Sequence, residues 1–295
     1  MKHHIIQKLF FALSLLASPA LAQAKPLITY KACTFEKTDW ADGDSFLIKP
    51  PGEAAFTVRL YGADCMEWHI SDDSDARRLR EQRRYFGITE VAPKAEDAIA
   101  IAKGFGEAAA KKTADLLNKP FTIHTHFRKA LGDGNHARFY AFVECADGSD
   151  LAAELVKTGL ARAWGVNANG PDEKSSEEYE KTLDDLELQS AKRGLGIWSK
   201  TNWEKLPVER KAQRQDDLEA NLAIGDQKLK QGKKIDPSIA ARDELMRLPG
   251  IGEEIANRII EKQPFKKLED LEKVPGIGSK KLDAISPFLI FPSEK

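Results

Sequence analysis

Residues 42–68 constrain the fold more than any other part of the chain. They contain two strand-like runs separated by a Pro-Pro-Gly turn, and in the second run Phe56, Val58 and Leu60 alternate with polar residues. This period of two predicts a hairpin of half-buried strands. Arg59 projects from the second strand, and three acidic residues flank the pair: Asp44, Asp64 and Glu67. The pattern predicts carboxylates around a divalent cation, with a guanidinium beside them to hold an anion.

The first 24 residues have the three parts of an export signal. A basic start precedes a short apolar run, and small residues then allow cleavage after Ala22 or after Ala24. The apolar run is well short of the ~20 residues that span a bilayer, so we expect no stable membrane insertion. We therefore expect an exported bacterial protein, periplasmic or extracellular, that acts as a monomer.

The charge balance shows no general attraction to nucleic acid. The 295 residues carry a formal net charge of −1, so any polyanion must be bound by local patches. Three cysteines, Cys33, Cys65 and Cys145, fall after the signal. In an oxidising compartment one pair could form a disulfide, and the pairing stays open. We expect structural rather than catalytic cysteines.

The order of strands and helices predicts an α+β fold. Further strands are expected at residues 27–35, 121–127 and 138–145, with helices at about 105–117 and 150–159. Five short strands with helices between them fit a closed OB-type barrel, which we place at residues 25–203.

An arginine-rich segment lies between the hairpin and the first long helix. Residues 72–87 place aspartates first and arginines last, which is typical of a short helix that ends at Gly87. Two interpretations remain open, a solvated surface helix and a phosphate-contacting arm beside the acidic residues. The arginines are Arg77, Arg78, Arg80, Arg83 and Arg84.

The C-terminal part contains an internal repeat. Residues 204–236 are highly charged and predict a helical or partly disordered linker. Residues 243–252 then recur as residues 269–278, and both copies end in Pro-Gly-Ile-Gly. The repeat predicts helix, tight hairpin and helix, twice, in an all-α domain at residues 237–292.

Residues 27–200 resemble a staphylococcal-nuclease-like (thermonuclease) domain. The resemblance is carried by segments 42–45, 59–67, 138–143, 159–161 and 197–199. It implies a five-stranded OB-type barrel with helices that cleaves DNA and RNA with Ca²⁺ and leaves 3′-phosphate ends. By the same resemblance, Glu67 would orient or deprotonate the attacking water, while Arg59 and Arg138 would bind the phosphate. Three groups would bind the calcium ion: Asp44, Asp64 and the backbone carbonyl of Cys65.

The sequence departs from the family pattern in several places. Met66 stands where the family usually has proline, and Cys65 replaces a threonine. His136 and Gly165 stand where tyrosines near the nucleotide are expected. An insertion at about residues 70–103 contains the arginine-rich segment.

Residues 237–292 resemble the tandem helix-hairpin-helix module of bacterial DNA-uptake receptors and repair nucleases. The resemblance implies that backbone N–H groups of both hairpins face phosphates: Gly250, Ile251, Gly252, Gly276, Ile277 and Gly278. Lys280 and Lys281 favour phosphate at the second hairpin. We expect weak, salt-sensitive, sequence-independent duplex binding. A protein-docking or purely structural module remains the alternative.

Together these features predict a Ca²⁺-dependent nuclease that uses its tail to stay on DNA. A second hypothesis is a catalytically retired nucleic-acid-binding or DNA-uptake protein. The intact set of acidic residues and arginines distinguishes them, because a retired enzyme would tolerate losing some of these side chains.

Overall fold

The computed structural model describes residues 27–130, 137–225 and 234–291. The predicted signal peptide at residues 1–24 and His136 therefore lie outside the described residues. Within the described ranges, no helix is both long and apolar enough to cross a membrane.

Five strands form the closed barrel that the sequence predicts. The strands of the described residues are β1 (Ile28–Glu36), β2 (Ser45–Lys49), β3 (Phe56–Leu60), β4 (Ala63–Cys65), β5 (Phe121–Thr125), β6 (Lys129–Ala130), β7 (Arg138–Glu144) and β8 (Ala161–Ala163). Sheet order β3-β2-β1-β5-β7 is closed by a parallel β3–β7 pairing, while β6 adds to β7. β4 and β8 form a separate antiparallel pair beside the barrel.

Apolar side chains at alternate strand positions fill the barrel. Phe46, Ile48, Val58 and Leu60 are almost completely buried. The same side of two neighbouring strands therefore faces the interior, as the period-two pattern requires. This confirms the fold class expected from the sequence.

Helices cover the barrel and form the C-terminal part. They are α1 (Asp73–Phe86), α2 (Ala95–Leu116), α3 (Leu151–Lys157), α4 (Ser176–Lys192), α5 (Leu206–Gly225), α6 (Arg242–Leu245), α7 (Glu253–Lys262) and α8 (Ser279–Ile285). Short 3₁₀ segments occur at Gly196–Lys200, Leu268–Lys273 and Ser286–Phe288.

The predicted helix of the arginine-rich segment is α1. Asp72 caps it by accepting from the Ser74 and Asp75 N–H groups at 2.8 and 3.0 Å. Gly87 ends it in the left-handed region, with φ +66°. Asp is a preferred N-cap residue and Gly a preferred residue at a helix C-terminus, so both boundaries of α1 follow from the sequence.

Helix α2 begins about ten residues earlier than the sequence suggests. Gly104 and Gly106 favour a start near residue 105, yet the helix runs through both. A Cβ on Gly106 would lie 2.4 Å from the Met66 carbonyl oxygen and 2.8 Å from Trp68 Cβ. Gly106 therefore allows α2 to approach the segment after β4, and it does not break the helix.

The C-terminal repeat folds as two helix-hairpin-helix units. The first unit uses α6 and α7, and the second uses the 3₁₀ segment Leu268–Lys273 and α8. Gly250 and Gly276 turn the two hairpins with φ of +71° and +92°. In both copies the first helix is shorter than a typical α-helix.

The linker region and the repeat both contact the part of the chain that contains the barrel. Helix α5 packs against α1, where Arg84 forms an ion pair with Asp216 at 2.6 Å. The Arg128 guanidinium donates to the Ile260 carbonyl of α7 at 2.6 Å. Residues 226–233 of the predicted linker lie outside the described ranges. Polar contacts thus join both α5 and α7 to the part of the chain that precedes them.

Candidate active site and nucleic-acid interface

Four acidic residues, three buried and one half-buried, lie together at one end of the barrel. We call them the acidic cluster: Asp42, Asp44, Asp64 and Glu67. Asp44 directly precedes β2, and Asp64 lies within β4. Glu67 follows two residues after β4. The short β3–β4 connection therefore brings residues from both sides of the predicted hairpin to one place.

Arg59 joins the two predicted calcium ligands. Its Nη2 donates to Asp64 Oδ1 at 2.6 Å, and its Nη1 lies 3.3 Å from Asp44 Oδ1. The β2–β3 register places Ser45 opposite Arg59, so Asp44 is one residue from the strand partner. The sequence prediction that Arg59 lies beside the acidic residues is thus confirmed.

Asp64 receives donors on both carboxylate oxygens. Oδ1 contacts Arg59 at 2.6 Å and Arg78 at 3.5 Å. Oδ2 accepts from Gln82 Nε2 at 2.9 Å and from Arg162 Nε at 2.8 Å. Burial raises the pKa of Asp64, but the charges of Arg162, Arg59 and Arg78 outweigh it and hold the pKa well below its usual range. Asp64 is therefore ionised.

Asp42 and Glu67 have fewer positively charged neighbours than Asp64 has. Burial, together with the charges of Glu67 and Asp44, raises the pKa of Asp42 to about 8. Burial also raises the pKa of Glu67 to about 7, against the opposing charge of Arg78. Asp42 Oδ1 is buried and has no hydrogen-bond partner among the described residues. A cation bound here would lower the free energy of the ionised carboxylates.

Cys65 contributes its backbone rather than its thiol. Its N–H donates to Asp44 Oδ2 at 2.6 Å, and its carbonyl accepts from Gln82 Nε2 at 2.7 Å. Burial and the nearby aspartates raise the pKa of the thiol well above its ordinary value. Cys33, Cys65 and Cys145 are all buried free thiols. Buried, protonated thiols are poor nucleophiles, in agreement with a structural role.

The donor set fits a hard cation in its chemistry. The predicted ligands Asp44, Asp64 and the Cys65 carbonyl are all oxygen groups, which Ca²⁺ prefers. Arg59 contacts the first two, and Gln82 contacts the last two. In the described ranges, no three His, Cys, Asp or Glu residues converge at metal-ligand spacing. In this structure the N–H groups of Arg59 and Gln82 are the partners of these three oxygen ligands.

Arg138 begins β7 and lies on the same face of the sheet as Arg59. In the parallel β3–β7 ladder, Thr57 pairs with Arg138 and Arg59 pairs with Tyr140. Positions two apart on a strand share a face, at a spacing of about 7 Å. Arg138 is half-buried. The register thus places the second predicted phosphate-binding arginine on the Arg59 side of the sheet.

Three further residues belong to the site, and of these only Arg78 was named from the sequence, as part of the arginine-rich segment. Arg78 and Gln82 lie one turn apart on α1, and Arg162 lies opposite Asp64 in the β4–β8 pair. The Arg162 guanidinium also lies over the rings of Tyr85 and Trp164, at 5.0 and 4.8 Å. The arginine-rich segment was a signal for Arg78. No sequence signal pointed to Gln82 or Arg162.

The arginine-rich helix fits neither of its two interpretations fully. Arg83 donates to the Thr89 carbonyl at 2.6 Å, and Arg84 pairs with Asp216 at 2.6 Å. Both arginines therefore hold protein structure together. Arg77 and Arg80 are exposed, while Arg78 reaches the acidic cluster. One face of α1 is solvated and the other contributes to the site.

The two hairpins of the repeat lie close to each other. Gly252 and Gly278 are the N-cap residues of α7 and α8. Lys280 is exposed, and the Lys281 side chain passes 3.7 Å from the position of a Cβ on Gly250. Lys281, which follows the second hairpin, therefore also lies next to the first hairpin.

Ile251 and Ile277 have a structural part in the hairpins. Their N–H groups donate to the carbonyls of Leu248 and Val274 at 3.2 and 3.0 Å, and their side chains are buried. The prediction placed these N–H groups against phosphate. In the structure they close the turns, because a buried N–H group requires an acceptor.

Comparison with known families agrees with this architecture. Residues 58–200 match the family model described as Staphylococcal nuclease homologue, and residues 230–290 match the one described as Helix-hairpin-helix motif. The chain carries a staphylococcal-nuclease-homologue domain followed by a helix-hairpin-helix motif. No curated protein matches the chain. The nuclease-homologue match contains Arg59, Asp64, Glu67 and Arg138. Asp44 precedes it and joins the site through its contacts with Arg59 and Cys65.

Proposed function

We propose that the chain is an exported Ca²⁺-dependent nuclease that hydrolyses phosphodiester bonds of DNA, and also of RNA, leaving 3′-phosphate ends. One observation supports this proposal: Arg59 contacts both Asp44 and Asp64, and Arg59 and Asp64 lie within the residues that match the nuclease-homologue model. The C-terminal motif would hold duplex DNA without sequence preference.

The residues of the site suit phosphodiester hydrolysis. The negative charge on the phosphate oxygens increases in the transition state, and Arg59 and Arg138 would bind these oxygens with paired N–H donors. Glu67 would accept a proton from the attacking water, for which a pKa of about 7 is suitable. Asp44, Asp64 and the Cys65 carbonyl would hold the calcium ion. When bound, calcium would supply positive charge beside the phosphate.

A cleavage assay tests the activity. Residues 25–295 are incubated with plasmid DNA, single-stranded DNA or RNA, in Ca²⁺ or in chelator. We expect calcium-dependent cleavage whose products carry 3′-phosphates. Asp44→Asn and Glu67→Gln should each reduce kcat by about 10²-fold or more. The matched control is Asp39→Asn, since Asp39 is an exposed acid outside the cluster. Absence of calcium-dependent cleavage would favour the retired nucleic-acid-binding protein instead.

Export is tested separately. Expression of the full chain in a bacterium, followed by fractionation and N-terminal sequencing, should give a mature protein that begins at Gln23 or at Lys25. A protein that still begins at Met1 and is found in the cytoplasmic fraction would contradict the proposed export.

A further inference from the structure

Arg78 holds a position between two carboxylates of the acidic cluster. Its Nη2 atom lies 2.6 Å from Glu67 Oε1 and 3.5 Å from Asp64 Oδ1. One nitrogen of a positively charged group thus bridges the proposed water-activating residue and a proposed calcium ligand. A cation bound to Asp64 on this side would take the place of that nitrogen beside Glu67.

Asp64 has no further room for a ligand. A carboxylate accepts about four hydrogen bonds, and Asp64 already contacts Arg59, Arg78, Gln82 and Arg162. A cation can therefore bind Asp64 only if one of these donors leaves.

Arg78 is the donor that can leave most easily. Its contact with Asp64 is 3.5 Å, while those of Arg59, Gln82 and Arg162 are 2.6, 2.9 and 2.8 Å. Its side chain is 27% exposed, compared with 13% for Arg59 and 11% for Arg162. A partly exposed guanidinium regains hydration when it moves away, so its release costs less than that of a buried one.

We propose that Arg78 and a divalent cation compete for Asp64, so that binding of the cation displaces the guanidinium from Asp64 and from Glu67. This inference rests on the proposed function, because it assumes that the cluster binds calcium. The insertion that carries α1 thereby supplies an internal counter-ion to the acidic cluster. Release of Arg78 by calcium also leaves Glu67 free to accept a proton.

Calorimetric titration with calcium, without nucleic acid, tests the competition. The variant is Arg78→Met, which keeps the aliphatic stem and removes the charge. We expect it to bind calcium about 10-fold more tightly than the wild type, because no guanidinium has to be displaced. The matched control is Arg77→Met, which removes an exposed charge from the neighbouring position of α1 and should leave the affinity within about 2-fold of wild type.

An unchanged or weaker calcium affinity in Arg78→Met would overturn the competition, since Arg78 would then support the ligands rather than replace the ion. A crystal structure of the calcium-bound wild type gives a second measurement. Arg78 should lie away from Glu67, and an intact Arg78–Glu67 contact beside bound calcium overturns the inference.

The inference and the proposed function fail separately. A wild type that cleaves DNA with calcium, paired with unchanged affinity in Arg78→Met, overturns only the competition. A wild type that binds calcium more weakly than Arg78→Met but cleaves no nucleic acid overturns only the nuclease proposal. No calcium binding by either protein overturns both.

Discussion

Gly62 connects the strand that carries Arg59 to the strand that carries Asp64. Its φ is +68°, and a Cβ on it would lie 2.5 Å from both Asn167 Oδ1 and Leu183 Cδ1. Its N–H donates to the Val166 carbonyl at 2.9 Å, and its carbonyl accepts from the Trp164 N–H at 3.0 Å. The site therefore depends on a position that favours glycine, because a Cβ there would have to displace two buried side chains.

We predict that Gly62→Ala is far more destabilising than Gly52→Ala. Gly52 has a similar φ of +76° but nothing within 4 Å of its Cβ position. Gly52→Ala should cost about 1 kcal/mol for the left-handed backbone alone. Gly62→Ala adds a steric clash worth about 1–3 kcal/mol. Urea unfolding of both variants measures the difference, and equal losses would contradict the described packing.

Glu187 is a buried acid that should make stability depend on pH. Burial raises its pKa to about 7, and its Oε2 accepts from the Tyr85 hydroxyl at 2.9 Å. Its carboxyl group binds a proton more tightly in the folded state than in the unfolded state. The stabilisation is therefore complete below about pH 4.5 and is lost as the pH rises through 7.

We predict that Glu187→Gln removes this pH dependence. Relative to wild type, the variant should gain about 2–3 kcal/mol of unfolding free energy between pH 5 and pH 8. Urea unfolding at both pH values measures this gain. Asp185→Asn, at an exposed position of the same helix, is the control and should show no comparable gain. A constant difference between Glu187→Gln and wild type would refute the prediction.

Sequence analysis identified the residues of the site that belong to one local segment. Arg59, Asp64 and Glu67 come from the β3–β4 stretch, where the strand pattern fixes their spacing. Gln82 and Arg162 contact Asp64 from distant elements. Such contacts depend on how helices and strands pack, which local periodicity does not encode.

At the scale of elements, the capping residues of helix α4 correctly predict where the helix begins. The Glu178 N–H donates to Ser175 Oγ at 3.2 Å, and Glu178 Oε2 accepts from the Ser175 N–H at 2.8 Å. This is a capping box, and its sequence signature is a Ser three residues before a Glu at a helix start. Helix α2 shows the opposite case, because the role of Gly106 in close packing depends on a partner segment that the sequence does not reveal.

We predict that Ser175→Ala destabilises the protein by about 1 kcal/mol. The loss of the hydroxyl leaves a first-turn N–H of α4 without its acceptor. Ser176→Ala is the matched control, because the Ser176 hydroxyl contacts the exposed Glu177 side chain at 3.2 Å and does not cap the helix. Thermal unfolding compares the two variants. Equal effects on the melting temperature would contradict the role assigned to Ser175.

At the scale of the whole molecule, the helix-hairpin-helix motif is docked on the nuclease-homologue domain. The Asn167 N–H donates to Glu261 at 3.0 Å, and Lys262 pairs with Glu177 at 3.2 Å. Deletion of residues 237–295 would remove these partners along with any DNA contacts. Point variants of the hairpin lysines therefore test the motif more cleanly than truncation does. The repeat predicted the two units, but its surface contacts with the barrel have no local sequence signature.

We predict that Lys280→Ala with Lys281→Ala weakens duplex binding and its salt dependence. Each lysine that contacts phosphate contributes about 1 to the slope of log K against log salt. Fluorescence anisotropy with a labelled duplex, at several salt concentrations, measures that slope. Lys266→Ala with Lys267→Ala removes two exposed lysines outside the hairpins and should preserve the slope. An unchanged slope in the hairpin variant would contradict DNA contact there.

The parallel β3–β7 pairing has a consequence for how the chain folds. It joins Thr57 to Arg138, about 80 residues apart in sequence, and it closes the barrel beside the acidic cluster. Contacts of such high sequence separation form late, since the loop entropy must be overcome first. The nascent chain thus cannot complete its barrel until β7 has emerged. Until then, the Arg59 side of the sheet lacks Arg138, the second predicted phosphate-binding arginine.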